Sequence, residues 1–244
     1  MAGYSGRGLH GQLLHALAIE IVEGRIASEE VIDLDALGAK YDVSRTVVRE
    51  VIKVLTAKGM VDGRPKRGTI VRPRGDWNLL DPDVLRWHFA GADGPSPDAL
   101  EKFAELRLIV EPGAAAIAAD KRTVADLDEL EVALAGMESA CDATAAAEHD
   151  TRFHRAVLRA TQNELLGGIG GVIEIGLLAR DRLVHAHGMP TPKVIALHRS
   201  VVTKISAQDG GGARSAMHRL LVKAASDASS ASTHGRSSTV VRKP

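Results

Sequence analysis

The spacing of apolar residues changes abruptly near the N-terminus, and this change constrains the fold more than any other feature of the chain. Apolar residues keep helical spacing over residues 9–24, 34–40 and 44–59. The period then becomes two on either side of a turn at residues 63–68. A helix, a short helix, a tight turn, a longer helix and a basic hairpin predict a winged helix-turn-helix, which we assign to residues 9–74.

The remainder of the chain has a helical pattern. Residues 75–81 are interpreted as a linker, and no convincing strand follows them. Aromatic residues make up only 3% of the chain, which favours helix-on-helix packing. The sequence therefore predicts a mostly α protein, with a small β-hairpin wing and an antiparallel α-helical bundle over residues 82–228. Residues 1–8 and 229–244 are rich in Gly, Ser and basic residues and are predicted to be disordered. The predicted bundle helices lie near residues 82–90, 97–119, 123–140, 144–161, 163–186, 191–208 and 211–228.

Charge is unevenly distributed along the chain, although the formal net charge is zero. Residues 40–74 contain ten Lys and Arg but only three acidic residues, so the rest of the chain is correspondingly acidic. A basic module on an acidic body indicates a polyanionic partner, although a solvated charged surface would give the same pattern. The single cysteine, Cys141, fits a reducing compartment. Because we find no membrane-spanning apolar run and no signal-peptide core, we expect a cytoplasmic protein without membrane partners.

The third predicted helix carries the residues expected to meet DNA. In a helix-turn-helix, the first residues of the second helix reach base edges, and here these are Ser44, Arg45, Thr46 and Arg49. Arg45 and Arg49 lie about one turn apart, so both guanidinium groups can face the groove, and arginine is the usual bidentate reader of guanine. Lys53 lies one turn further and is expected to contact phosphate. The alternative is that these side chains only solvate an exposed helix.

The predicted hairpin ends in a basic tip formed by Lys66, Arg67 and Gly68. Such a tip can lie in or over the minor groove, where glycine permits close approach of the backbone. Together with the third helix, the hairpin predicts sequence-specific binding to a palindromic operator by a homodimer, because two-fold symmetric readers match two-fold symmetric sites.

These motifs resemble those of a known family. Residues 41–51 (YDVSRTVVREV), Leu55, residues 59–61 (GMV) and residues 67–71 (RGTIV) closely resemble the GntR superfamily of bacterial transcription regulators. The resemblance departs at Asp35, where many members carry an arginine that also contacts DNA. An acid cannot donate a hydrogen bond to a base or phosphate, so we expect that contact to be absent and the operator to differ accordingly.

The resemblance extends over nearly the whole chain. Residues 106–112 (LRLIVEP) and 150–154 (DTRFH), with Asn163, resemble the fatty-acid-regulator-like branch, which has a helical FCD effector domain. Residues 77–87 (WNLLDPDVLRW) are more specifically similar to galactonate-operon repressors and related sugar-acid regulators. The resemblance implies a small organic acid as effector, with a sugar acid as the favoured class.

Three residues of the second domain form a predicted metal or ligand site. Asp150 and His154 are four apart on one helix face, and His198 lies in an apolar setting, a set that suits Zn²⁺, Ni²⁺ or Mn²⁺. Many FCD domains bind a metal through one Asp and three His, but the fourth position here is Leu220. His218 lies two residues away, a rotation of roughly 200°, and is not expected to substitute. Three ligands would leave positions for water or the effector, and the alternative is direct effector binding without metal.

Arg107 lies among apolar neighbours on the first long helix of this domain, and a buried guanidinium needs an anionic partner. The family resemblance implies that this arginine binds the effector, and an internal salt bridge with Glu111 is the alternative. We therefore expect Arg107, Asp150, His154 and His198 to bind the effector.

The predicted function is a transcription regulator, most simply a repressor. Binding of the acid would rearrange the helices near residues 82–119, change the spacing of the two DNA-reading helices and release the operator. A helical metalloenzyme is the main rival, but it lacks an evident general base and leaves the basic motif unexplained, so we predict no enzymatic activity. A DNA-binding architectural protein without effector would not explain ionisable residues at inward positions of the bundle.

Overall fold

The computed structural model describes residues 8–90, 94–184 and 189–237, and the chain divides into two compact units, residues 1–94 and 95–244. Within the described ranges, each helix is too short or too polar to cross a bilayer. The elements of the first unit are α1 (Leu9–Val22), β1 (Val31–Ile32), α2 (Leu34–Lys40), α3 (Arg45–Ala57), β2 (Val61–Arg64), β3 (Gly68–Val71), a 3-10 turn (Arg74–Asp76) and α4 (Pro82–Phe89).

The first unit is a winged helix-turn-helix, as the sequence predicts. The Asp33 carboxylate caps α2 by accepting the backbone N–H groups of Asp35 and Ala36, each at 3.0 Å. The Ser44 hydroxyl caps α3 at the backbone N–H of Val47. After α3 the chain turns at Gly59, which has a φ of 74° and would place a Cβ 2.7 Å from the Asp76 carbonyl oxygen.

The wing is a three-stranded antiparallel sheet with the order β1-β3-β2. Strand β3 pairs with β2 through Val61 and Val71, and with β1 through Val31 and Ile70. The sequence predicted only the hairpin, because β1 has two residues and is too short to show an alternating pattern.

The domain boundary lies after α4, not before it as the sequence predicted. Val84 and Trp87 of α4 are buried in the core of the first unit, where they join Leu17, Val51 and Leu55. The predicted linker at residues 75–81 is also part of this unit. Trp77 is 8% exposed, and its indole N–H donates to the carbonyl oxygen of Arg72 at 3.0 Å. These apolar side chains stabilise the unit only when they are packed against its core.

The second unit is all-helical in its described part. Its helices are α5 (Pro97–Lys121), α6 (Val124–Ser139), α7 (Ala143–Arg159), α8 (Glu164–Val184), α9 (Pro192–Ser206) and α10 (Gly210–Ser237). The described part of the bundle thus has six helices instead of the predicted seven. Helix α10 continues past residue 228, so residues 229–237 are helical instead of disordered. The predictions for residues 1–7 and 238–244 lie outside the described residues.

Side-chain caps mark the starts of four helices of the second unit. Ser96, Thr123, Asp142 and Thr191 each accept a backbone N–H at the start of a helix. Helix α7 contacts α6 and α8, α10 contacts α9, and α5 contacts α7, α9 and α10. The core that they enclose includes Phe103, Leu130, Leu134, Phe153, Leu158, Ile173, Leu177, Val201, Ile205 and Met217. The inward faces of α5, α7 and α9 therefore meet in the bundle interior.

Candidate nucleic-acid interface and effector site

Helix α3 is amphipathic, and its two faces have separate roles. Val48, Val51 and Leu55 are buried in the core of the first unit. The side chains predicted to meet DNA are all exposed on the opposite face, namely Ser44, Arg45, Thr46, Arg49 and Lys53. The apolar face fixes the orientation of the helix, so the exposed basic face is held on a rigid support. The Ser44 hydroxyl, predicted to reach DNA, acts here as the helix cap.

Asp35 contacts the predicted base-reading arginine, a contact that sequence analysis missed. The Arg45 Nε lies 3.0 Å from one carboxylate oxygen of Asp35, and Nη2 lies 3.0 Å from the other. The pair joins the first turn of α2 to the first residue of α3. No local pattern signals this contact, since the two residues are ten positions apart and belong to different helices.

The wing presents a basic tip, as predicted. Lys66, Arg67 and Gly68 are all exposed, and the backbone N–H of Arg67 donates to the carbonyl oxygen of Arg64 at 3.1 Å. Lys66 and Gly68 have positive φ angles of 62° and 85°, which form the tight turn. On α3, the Lys53 ammonium lies 2.7 Å from the Glu50 carboxylate, so its positive charge is partly offset in this structure.

A buried ion-pair network in the second unit contains Arg107. Arg107 is 3% exposed and Glu111 is fully buried one turn along α5. The Arg107 Nε donates to Glu111 Oε1 at 2.6 Å, and Nη2 lies 2.9 Å from His154 Nε2. Glu111 Oε2 in turn lies 2.5 Å from His154 Nδ1. The internal salt bridge considered from the sequence is therefore present, and it includes His154.

Asp150, His154 and His198 come together in the bundle interior. Their ligand atoms lie within 4.8 Å of one another. Among the described residues, these three form the group that could hold a metal ion. Asp150 Oδ1 is 2.9 Å from His198 Nε2 and 3.7 Å from His154 Nε2. Phe153 packs edge-on against the His198 ring at 4.9 Å between centroids, which helps to fix the ring. The sequence did not predict a role for Arg180 in this cluster, but its Nη2 donates to Asp150 Oδ2 at 3.2 Å.

The tautomers of the two histidines follow from their contacts. His198 Nδ1 lies 2.9 Å from the carbonyl oxygen of Val194, which can only accept, so Nδ1 carries a proton. His154 Nδ1 faces the Glu111 carboxylate, which also only accepts. In the neutral rings, both Nε2 atoms therefore carry lone pairs near the Asp150 carboxylate, and that of His154 accepts from Arg107 Nη2 at 2.9 Å. A backbone carbonyl or carboxylate on Nδ1 is typical of metal-binding histidines, and a metal on His154 would displace its contact with Arg107.

These donors fit a divalent cation. Three acceptors converge in a buried position, and His198 Nε2 faces Asp150 Oδ1 at 2.9 Å with no proton between these two acceptors. Burial lowers the pKa of His154, and the nearby Glu111 does not reverse this shift, so the imidazole is a neutral ligand near neutral pH. Burial opposes ionisation of Asp150, but His154, His198 and Arg180 outweigh it and hold its pKa well below the usual range. Leu220 is 2% exposed and His218 is exposed, so three ligands come from the described residues.

A small cavity of about 30 Å³ adjoins this cluster. Its lining residues are Leu100, Phe103, Ala104, Arg107, Arg180, Leu221, Ala224 and Ala225. This inner volume is close to that of one or two waters, so an organic acid would fill it and extend along its walls on α5 and α10. The two arginines supply positive charge at an otherwise apolar wall.

Each of the two units matches a known protein family. Residues 9–71 match the family described as bacterial regulatory proteins, gntR family, and residues 102–223 match the FCD domain. The chain is 32% identical over 210 residues to the galactonate operon transcriptional repressor of Escherichia coli, covering 84% of this chain and 90% of that protein. It is 30% identical over 217 residues to the E. coli regulator YieP, covering 86% of this chain and 90% of that protein.

Solved structures show the same fold. The structure of Lar, which controls expression of the Listeria monocytogenes agr system, superposes with a TM-score of 0.62 at 16% identity and covers 91% of this chain and 97% of its own. E. coli McbR/YncC superposes with a TM-score of 0.52 at 16% identity and covers 91% and 98%. At these identities the similarity concerns the fold alone.

Proposed function

Because the chain belongs to the GntR family of bacterial transcriptional regulators and carries an FCD effector-binding domain, we propose that it is a repressor released from its operator by a small acid. It is a regulator and not an enzyme. The observation that carries the proposal is the exposed basic face of α3, held on a buried apolar face, in the same chain as a buried arginine and histidine cluster.

In the proposed complex, α3 enters the major groove of a palindromic operator. Arg45, Thr46 and Arg49 meet base edges, Lys53 meets phosphate, and the tip formed by Lys66, Arg67 and Gly68 reaches the minor groove. A homodimer would supply the second reading helix.

In the proposed sensor, Arg107 binds the carboxylate of the acid. Its guanidinium already contacts His154 and Glu111, and an effector carboxylate would replace the contact with the neutral imidazole by a charge-assisted one. Arg180 lines the same cavity wall and contacts Asp150, and it is the second cation that the acid would meet. The name of the galactonate relative supports a sugar acid as the class to test first.

Asp150, His154 and His198 are the residues that would hold a divalent metal. Bound there, the metal would supply positive charge and open coordination positions for the carboxylate or a hydroxyl of the acid. The chain supports this role through Glu111 and the Val194 carbonyl, which orient the two imidazole rings.

The proposed switch follows from the position of the cavity. In this switch, an acid that enters between Arg107 and Arg180 displaces α5 or α10, and α5 begins directly after the first unit. Movement of α5 would change the spacing of the two reading helices in a dimer, and a changed spacing would lower operator affinity.

The experiment is a ligand screen followed by operator titration. Thermal unfolding is measured with galactonate, other sugar acids and short-chain organic acids, with and without chelator, because a ligand of the folded state raises the unfolding temperature. We expect one acid to raise that temperature and to weaken binding to an operator duplex. Arg107→Gln should unfold at a lower temperature without acid, because it leaves Glu111 buried without a cation, and relative to that baseline it should lose both effects. Arg199→Gln, at an exposed arginine of α9, should retain them.

Two outcomes would contradict the proposal. If an acid stabilises the protein but leaves operator affinity unchanged, the switch is wrong. If Arg107→Gln responds to the acid as the wild type does, Arg107 does not bind it. If chelator reduces the rise in unfolding temperature caused by the acid, a bound metal takes part in acid binding. If chelator leaves that rise unchanged, Arg107 and the cluster of Asp150, His154 and His198 bind the acid directly.

A further inference from the structure

The contact between Asp35 and Arg45 has the geometry of a side-on fork. Both distances are 3.0 Å, and they join the two carboxylate oxygens to Nε and Nη2, which form one edge of the guanidinium group. A bidentate pair of this kind fixes the plane of the guanidinium as well as its position. Both side chains are largely exposed, at 79% for Arg45 and 69% for Asp35. The pair therefore lies on the surface that α3 would present to DNA.

The remaining edge of Arg45 is free for a base. Asp35 contacts the Nε and Nη2 edge, so the end-on edge formed by Nη1 and Nη2 can still donate two hydrogen bonds. Guanine presents two acceptors, O6 and N7, in the major groove, and a bidentate arginine is their usual partner. An arginine whose plane is fixed before binding loses less side-chain freedom when it meets that base.

The negative charge of Asp35 weakens binding to non-cognate DNA. Every phosphate of the duplex repels the carboxylate, and nonspecific binding consists almost entirely of phosphate attraction. A correctly placed guanine compensates this repulsion through Arg45, whereas a wrong base does not. Specificity is a difference of affinities, and a repulsive group that weakens wrong complexes increases it.

We propose that Asp35 is a specificity-determining residue that aims Arg45 at one guanine in each half-site and weakens binding to non-cognate DNA. The inference rests on the proposed DNA-binding function. The sequence predicted only that Asp35 cannot contact DNA as the arginine of related proteins does. Its positioning role follows from the contact with Arg45.

The test uses full-length protein and a defined duplex. Wild-type protein selects its operator from a random-sequence duplex pool, and fluorescence anisotropy then gives Kd for that operator, for each single-base-pair variant and for a scrambled duplex at one salt concentration. Arg45→Ala identifies the base pair that Arg45 reads. We expect Asp35→Asn and Asp35→Ala to lower discrimination at that same pair by about tenfold and to bind the scrambled duplex more tightly than the wild type does.

Asp42→Asn is the matched control. Asp42 is an exposed acid in the turn between α2 and α3, and its φ of 50° suits asparagine. This variant removes the same charge nearby and should keep the wild-type discrimination. Since Asp33 caps α2, the Asp35 variants retain the helix cap, and their thermal unfolding should remain close to that of the wild type.

Distinct outcomes would overturn the inference. If Asp35→Asn discriminates at the Arg45 pair as the wild type does, the positioning role is wrong while the proposed function stands. If Asp42→Asn loses discrimination equally, the effect is one of general charge and Asp35 has no special role. If the wild type enriches no sequence from the pool, both this inference and the proposed function are wrong.

Discussion

Substitution of Glu111 by glutamine should strongly destabilise the second unit. Glu111 is fully buried and pairs with Arg107 and His154, so the amide would leave the Arg107 guanidinium buried without an anion. Removal of one partner from a buried ion pair costs about 3–5 kcal/mol. Burial opposes ionisation of Glu111, but Arg107 and His154 lower its pKa from 4.5 to about 2, so the carboxylate stays ionised beside Arg107 near neutral pH.

The assay is thermal and urea-induced unfolding at neutral pH. For domains of this size, 1 kcal/mol shifts the unfolding temperature by about 2–4 °C, so Glu111→Gln should lower it by roughly 10 °C. Glu105→Gln changes an exposed acid of the same helix and should leave it nearly unchanged. Adding Arg107→Met to Glu111→Gln should restore part of the loss, because no uncompensated charge then remains buried. If Glu111→Gln unfolds within about 1 kcal/mol of the wild type, the network does not stabilise the fold as described.

Three further predictions concern other parts of the molecule. Lys58 Nζ lies 2.8 Å from the Asp81 carboxylate. Burial opposes ionisation of Asp81, but this lysine and two backbone N–H groups lower its pKa below the usual value. The carboxylate therefore stabilises the fold fully above the pKa of the unfolded chain, and this stabilisation is lost as the pH falls through the lower pKa of the folded protein. Acid titration of unfolding should therefore be flatter for Asp81→Asn, and an unchanged profile would exclude the pair as a source of stability. Arg49→Ala should reduce the binding free energy by about 1–3 kcal/mol through one base pair only. Lys53→Ala should weaken binding to all duplexes alike and reduce the slope of log K against log salt concentration by about one. The reverse pattern would exchange the roles of the two residues. His198→Gln should abolish Ni²⁺ binding measured by calorimetry, and binding of Ni²⁺ as tight as in the wild type would place the metal elsewhere.

Much of the fold follows from local patterns in the sequence. The apolar stripe of α3 and its Ser44 cap predict the recognition helix, because both signals lie within one element. The spacing of Asp150 and His154 predicts one shared face of α7, and the structure agrees. The pairing of Arg107 with Glu111 was one of two alternatives left open by their separation of four residues.

The parts that were wrong or missed depend on contacts between distant residues. Helix α4 has an apolar face, but the sequence does not say which unit that face packs against, and Val84 and Trp87 lie in the first. Arg180 reaches Asp150 from another helix, 30 positions away. Asp35 and Arg45 likewise meet only through the packing of α2 on α3. Such partners become visible only when the helices are placed in space.

Selection of duplexes from a random-sequence pool tests the central claim, sequence-specific DNA binding through α3, most directly. The wild-type chain and the double variant Arg45→Ala, Arg49→Ala are each incubated with the same pool, and the bound duplexes are sequenced. We predict that the wild type enriches an inverted repeat with two half-sites and that the double variant enriches none. Enrichment of the same repeat by both proteins, or of no sequence by the wild type, would contradict the account.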